Sequence, residues 1–96
     1  MERIVNKGVE VVFQPTPIGK INLSNGLIAS EIVRGAETAE YFYIKIDPAN
    51  GTAGLLTIVN KYDEEVIFPF DLGWNPEPVK EVKTTGNTAT EVYYGI

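Results

Sequence analysis

The sequence predicts an all-β fold, namely a small β-sandwich or Greek-key barrel of about eight short antiparallel strands. Short runs rich in β-branched and aromatic residues recur along the chain, and turn-forming residues separate them roughly every eight to twelve positions. No stretch has the length and periodicity of an amphipathic helix. With 96 residues, of which 44% are hydrophobic, the chain has the size and composition of one domain, residues 1–96.

The composition argues against several classes of protein. The net charge is −5 and the basic residues are scattered singly, so we expect no nucleic acid partner. The chain contains neither cysteine nor histidine, which excludes disulfides, most hydrolytic triads and most zinc sites. We therefore expect a protein that is not an enzyme and that uses no cofactor and no metal.

The sequence also gives no sign of a membrane role. No apolar run is long enough for a transmembrane helix. Residues 1–8 lack the apolar core of a signal peptide. We expect no membrane partner, and a protein that is made in the cytoplasm and either stays there or leaves inside an assembled particle.

The first elements are a strand and a hairpin. Residues 9–13 alternate valine and phenylalanine with other residues, and the strand should end at Pro15-Thr16-Pro17. Asn25-Gly26 is the strongest short hairpin signal, and a two-residue loop there would place Leu23 opposite Ile28. This register gives the hairpin one aliphatic face and one polar face, with Lys20 paired to Glu31 on the polar face. The aliphatic face consists of Ile21, Leu23, Ile28 and Ile32.

Residues 41–62 are predicted to form a central hairpin around the turn at residues 47–52. Pairing of Ile46 with Thr52 would place Phe42 opposite Leu56, and Ile58 would continue the same face. This apolar face is the predicted centre of the core. The opposite face of the first strand, which carries Tyr41, Tyr43 and Lys45, is amphipathic.

Three connecting regions complete the middle of the chain. Residues 34–40 are too short and too poorly patterned for more than a single helical turn. Residues 63–65 form an acidic turn, and residues 66–68 return beside residues 56–59 until Pro69 ends the strand. Residues 70–78, which include Trp74, form the one long irregular segment.

The last segment, residues 79–96, is predicted to be a hairpin around Gly86-Asn87. Pairing of Thr85 with Thr88 mixes apolar and charged side chains on both faces. An edge position, a subunit interface, or a bulge that changes the register halfway would each explain this pattern. We expect the subunit interface, because it buries the apolar residues while the charges stay at its rim. The candidate interface residues are Trp74, Val82, Val92, Tyr93, Tyr94 and Ile96.

Two groups of side chains have alternative interpretations. The acidic turns at residues 47–52 and 63–65 offer oxygen ligands for calcium, but neither has EF-hand spacing, and such residues usually serve as solvated turn formers. Trp74 lies in a loop rich in glycine, asparagine and proline, which raises the question of sugar stacking. A protein contact is the preferred interpretation, because aromatic residues are enriched at interfaces.

The C-terminal fifth of the chain carries one family resemblance. Pro78-Val79, the charged strand that follows, and the turn Gly86-Asn87-Thr88-Ala89-Thr90 resemble the C-terminal segment of small structural proteins of tailed bacteriophages. Spike-base and head-decoration proteins belong to this group. Asn87 replaces the usual threonine, and residues 92–96 differ from the small aliphatic ending of the family. The match covers about a fifth of the chain.

The resemblance implies a non-enzymatic virion protein. Such a protein would pack against copies of itself, with a trimer as the expected ring, and against capsid or tail proteins. It would be made in the host cytoplasm and located in the virion. The alternative is a small β binding module, either for carbohydrate or as a phage-encoded inhibitor of a host protein.

Overall fold

The computed structural model describes residues 13–96. Their regular secondary structure is almost entirely β, which confirms the all-β class. The described part contains one short 3-10 turn, at Ala29–Glu31, and ten short strands. The strands are β1 (Pro17–Lys20), β2 (Leu27–Ile28), β3 (Val33–Arg34), β4 (Glu37–Thr38), β5 (Tyr43–Ile46), β6 (Gly54–Asn60), β7 (Glu65–Phe70), β8 (Gly73–Trp74), β9 (Val79–Val82) and β10 (Val92–Gly95). The predicted strand at residues 9–13 lies mostly outside the described residues.

Two four-stranded sheets form the sandwich. The first sheet has the order β1-β10-β5-β8 and the second sheet has the order β2-β9-β6-β7, while β3 and β4 form a separate small hairpin. The sheets are joined at one corner, where the backbone groups of Phe42 and Val79 exchange two hydrogen bonds of 2.9 Å. Such a link gives the sandwich some of the character of a partly closed barrel.

The core lies between the two sheets. In β5 and β7 every second side chain points inward, as regular strand geometry requires. The largest fully buried side chains come from both sheets and from the segments that join them: Phe42, Phe70, Ile44, Ile46, Leu56, Ile58, Val79, Val82 and Val92. Burial of each such side chain stabilises the fold by roughly 1.5–3 kcal/mol before the loss of conformational entropy is subtracted.

The predicted central hairpin is wrong, because its two strands do not pair with each other. The residues predicted to be buried on its apolar face are buried. β5 pairs with β10 and β8, whereas β6 pairs with β7 and β9. The turn at residues 47–52 therefore carries the chain from one sheet to the other. Phe42 and Leu56 are both completely buried, but they belong to opposite layers of the core and are not cross-strand neighbours.

The predicted Asn25-Gly26 hairpin is also wrong. The turn forms, since the backbone oxygen of Asn22 accepts hydrogen bonds from the N–H groups of Asn25 and Gly26, and Gly26 has a φ of 71°. The strands that flank it pair elsewhere: β1 with β10 in the first sheet and β2 with β9 in the second. Ile28 is consequently opposite Glu81 and 43% exposed.

The predicted hairpin at residues 79–96 does not form either. β9 lies between β2 and β6 in the second sheet, whereas β10 lies between β1 and β5 in the first. A bulge at Lys80 shifts the register of β9, so that Val79 and Val82 both point inward. The mixed pattern therefore arises because each strand buries its apolar residues in a different layer.

The prediction for residues 56–68 is confirmed. β6 and β7 form an antiparallel hairpin with Leu56 opposite Phe68 and Ile58 opposite Val66. Asp63, with a φ of 63°, closes its acidic turn. Pro69 does not end the strand, because β7 continues to Phe70 at the edge of the sheet, where proline is tolerated.

The other connecting regions contain more β-structure than predicted. Residues 33–38 form the small hairpin of β3 and β4, which turns at Gly35 with a φ of 67°. The segment predicted to be irregular, residues 70–78, contributes β8 to the edge of the first sheet. This short strand is what places Trp74 on the sheet.

Candidate functional site

Four side chains form a row across the outer face of the first sheet. Lys20, Tyr93, Lys45 and Trp74 occupy successive positions on β1, β10, β5 and β8 in one register. Cross-strand partners point to the same side of a sheet, and the neighbouring residues of β5 and β10 are buried in the core. The row therefore faces away from the core and carries two cationic and two aromatic side chains in alternation.

The row borders a shallow depression on this face, which we call the outer depression. It has a volume of about 430 Å³ and is lined by Pro17, Ile18, Gly19, Lys45, Asp47, Trp74 and Tyr93. Trp74 and Tyr93 are separated by one strand, so their backbones lie roughly 10 Å apart. Lys45 lies between them on β5 and lines the depression.

Two local features position Trp74. The buried carboxamide of Asn75 holds the preceding loop through hydrogen bonds with the backbone of Asp71 and Gly73 at 3.0–3.1 Å. The Trp74 ring lies against Gly95, where an added Cβ would come within 2.7 Å of the ring atom Cη2. The same Cβ would come still closer to the backbone oxygen of Thr16, so the Thr16 backbone and the Trp74 ring together leave room only for glycine there.

Charged groups of both signs lie in and beside the outer depression: Lys45 and Asp47 line it, and the ion pair of Lys20 and Glu91 lies next to it. Lys20 Nζ donates to Glu91 Oε1 at 2.9 Å, and this hydrogen bond raises the pKa of Lys20 above its ordinary value. The pKa of Asp47 lies below its ordinary value, mainly because the Ala49 N–H donates to its carboxylate, with smaller contributions that include the Lys45 charge. Lys20 is therefore cationic and Asp47 anionic at neutral pH.

The two lysines also contact the aromatic rings. Lys45 Nζ lies 5.7 Å from the centre of the Trp74 ring, and Lys20 Nζ lies 5.9 Å from the centre of the Tyr93 ring. Cation–π contacts of this kind at exposed sites contribute about 0.5–1 kcal/mol each. They keep the two ammonium groups close to the aromatic rings of the row.

The structure divides the six predicted interface residues into three pairs. Trp74 and Tyr93 lie together on the outer face and are half-buried. Tyr94 and Ile96 pack against the core, and the Tyr94 ring lies 6.0 Å from that of Phe42. The prediction that Val82 and Val92 contact a neighbour is wrong, because both are 1% exposed and belong to the core of the chain itself.

Sequence reasoning missed the polar members of the site. The sequence pattern places Lys45 in a strand and Asp47 in a turn, but it does not predict that both lie near Tyr93. The amphipathic alternation around Tyr43 and Lys45 indicated an outward face. It did not indicate that β10 and β8 would lie on either side of that face.

The acidic turns do not come together as a metal site. Among residues 13–96, no group of three or more acidic residues is arranged to hold a metal ion. Lys80 Nζ donates to Asp63 at 2.8 Å, Asn60 donates to Glu64 at 3.1 Å, and Lys83 lies 3.8 Å from Glu65. The side chain of Asp47 caps its own turn. These contacts agree with the role of solvated turn formers.

The described residues include no helix that is long and apolar enough to cross a membrane. Comparison of the chain with protein-family models, with curated proteins and with solved structures gives no match. The site must therefore be interpreted from its own geometry.

Proposed function

We propose that this chain is a small, non-enzymatic β-sandwich module that binds a ligand in the outer depression. The observation that supports this most directly is the position of Trp74 and Tyr93. They flank Lys45 on the outer face, and neither lies among the buried residues of the core. Half-buried aromatic side chains that border a depression with a few polar groups are typical of binding sites.

The same site is poorly suited to catalysis. The whole chain lacks histidine and cysteine. Asp47 supplies the one carboxyl group in the described lining of the outer depression. Its lowered pKa keeps it ionised, so it cannot act as a general acid, and the lining offers no second carboxyl for an acid–base pair. Binding without turnover is therefore the function that these residues favour.

A binding screen with matched variants tests the proposal. The purified chain, Trp74→Ala and Tyr93→Ala would be compared on arrays of oligosaccharides and of peptides. Tyr62→Ala is the control, because Tyr62 is 70% exposed and lies on the β6–β7 turn away from the outer depression. We expect binding that is lost in the first two variants and retained in the control. Binding that all three variants retain would refute the proposal.

The virion role is the second proposal. It is supported by the resemblance of residues 78–90 and by exposed aliphatic side chains on the outer face of the second sheet. Leu55 and Ile67 there are 40% and 63% exposed. In this role the protein would self-associate, with a trimer as the expected ring, and would attach to capsid or tail proteins.

Light scattering after size exclusion tests the second proposal. We expect a trimer that dissociates when Leu55 and Ile67 are changed to serine, because these changes remove apolar area from the contact. A parent protein that stays monomeric at high concentration would refute self-assembly through this face.

A further inference from the structure

We infer that the outer depression binds a neutral sugar ring; this inference rests on the proposed function and specifies its ligand class. Three properties of the depression lead to it: its aromatic walls, its balanced charge and its separated hydrogen-bonding groups.

The aromatic walls suit the apolar side of a sugar. A pyranose ring presents a face of C–H groups, and such a face packs against an aromatic ring in the way that other apolar groups do. Trp74 and Tyr93 provide two rings on the same face, on strands whose backbones lie roughly 10 Å apart with β5 between them. A short oligosaccharide that lies across the strands could contact both rings at once.

The charges around the depression favour a neutral ligand. Glu91 neutralises Lys20 at 2.9 Å, and Asp47 lies beside Lys45 on the same strand end. The two cationic and two anionic groups cancel. An acidic or a basic ligand would therefore gain little net attraction.

The polar groups can recognise hydroxyls. The Lys45 ammonium is a donor close to the Trp74 ring. Asp47 is an ionised acceptor whose Oδ1 accepts from the Ala49 N–H at 2.9 Å and whose Oδ2 accepts from Asn50 Nδ2 at 3.2 Å. Each carboxylate oxygen retains a further lone pair. A donor and an acceptor beside a stacking surface match the hydroxyls at the edge of a sugar.

A peptide strand is a poorer occupant of this surface. Peptides that bind to β-proteins often add a strand at a sheet edge and gain main-chain hydrogen bonds. The row from Lys20 to Trp74 crosses the face of all four strands of the first sheet, where the backbone groups between strands are already paired. Recognition here must rely on side chains.

Trp74 provides a direct assay, because it is the only tryptophan in the chain. Its fluorescence would be titrated with cellohexaose, maltohexaose, xylohexaose, mannohexaose and chitohexaose. Hexagalacturonate and a proline-rich dodecapeptide are the comparison ligands. We expect at least one neutral oligosaccharide to give a saturable change, with a dissociation constant on the order of 0.1–1 mM because the site is open. The affinity should not change between low and high salt.

Variants link the signal to the proposed contacts. Lys45→Met keeps the aliphatic stem and removes the ammonium donor, and Tyr93→Ala removes one aromatic wall. Each should weaken sugar binding at least fivefold, whereas the control Tyr62→Ala should leave it unchanged. Thermal unfolding of each variant shows whether the fold is intact. Tyr93→Leu replaces Tyr93→Ala if the latter does not fold.

The outcomes separate this inference from the proposed function. Binding of the peptide alone, or of hexagalacturonate with strong salt dependence, would overturn the neutral-sugar inference and leave a binding module. Sugar binding that Lys45→Met and Tyr93→Ala do not alter would overturn both. The absence of any response to the neutral panel would overturn the inference.

Discussion

Replacement of Asn75 by alanine should lower the free energy of unfolding by about 2–4 kcal/mol. The side chain is 5% exposed. Its Oδ1 accepts from the Asp71 N–H at 3.0 Å, and its Nδ2 donates to the carbonyls of Asp71 and Gly73 at 3.0 and 3.1 Å. A longer contact of 3.4 Å reaches the carbonyl of Ile44 on β5. One carboxamide thus joins the β7–β8 loop to the first sheet.

The magnitude follows from the groups that lose their partners. A net contribution of about 1 kcal/mol for each of the three shorter hydrogen bonds gives a loss of roughly 3 kcal/mol. The Asp71 N–H and the Gly73 carbonyl would be left without these partners in a partly buried loop. Water can reach the exposed side of this loop, which sets the lower end of the range.

Asn75→Asp tests the direction of the hydrogen bonds. The carboxyl group can still accept from the Asp71 N–H, but in its ionised form it places a negative oxygen against carbonyl oxygens. Its pKa in the folded protein should therefore lie above the value of about 3.9 in the unfolded chain. A raised folded pKa means that the variant loses stability, relative to the parent, as the pH rises through about 4 to 7.

The assay is urea unfolding followed by the fluorescence of Trp74, at acidic pH near 4 and at neutral pH. The matched control is Asn22→Ala, because Asn22 is exposed and, among residues 13–96, its side chain accepts a single hydrogen bond, from the Ser24 N–H at 3.0 Å. The control should change stability by less than about 0.5 kcal/mol. The reasoning is refuted if Asn75→Ala is no less stable than the control, or if Asn75→Asp shows no dependence on pH.

Gly26→Ala should destabilise the protein more than Gly35→Ala, as measured by thermal unfolding. Both glycines have a positive φ. An added Cβ at position 26 would lie 2.5 Å from a backbone oxygen of β9, whereas one at position 35 would meet nothing within 4 Å. Equal losses of stability in the two variants would contradict this. Asn87→Ala should reduce stability by about 1–2 kcal/mol and increase amide exchange in residues 83–90, because its side chain links this loop to β6 at 2.9 Å. Unchanged exchange would contradict that role. Glu91→Gln should lower the pKa of Lys20 towards its ordinary value in an NMR titration. Because the pKa of Lys20 is raised in the folded protein, the stabilisation by the Lys20–Glu91 pair is present at neutral pH and is lost as the pH rises through that pKa. If the pKa of Lys20 does not move in Glu91→Gln, a group other than Glu91 raises it.

The sequence alone determined the fold class and much of the inside–outside pattern. Alternation identified Phe42, Ile44 and Ile46 as buried, and the structure places all three in the core. The turns around Gly26 and Asp63 also form where the sequence predicts them. These features depend on interactions among near neighbours in the chain, which a single sequence records directly.

The tertiary structure alone decided which strands pair. Three of the predicted hairpins pair strands that are adjacent in sequence. In the structure, the turn of each of these three carries the chain from one sheet to the other. The turn near Asp63, by contrast, does close a hairpin. A turn motif limits the local backbone, but it does not specify the sheet to which the next strand belongs. The choice of sheet depends on how the apolar faces of the two sheets are buried against each other. The same requirement accounts for the bulge at Lys80, which lets β9 bury both Val79 and Val82. For the same physical reason the candidate site was not evident in the sequence, because Lys45, Trp74 and Tyr93 become neighbours only when β5, β8 and β10 share one sheet.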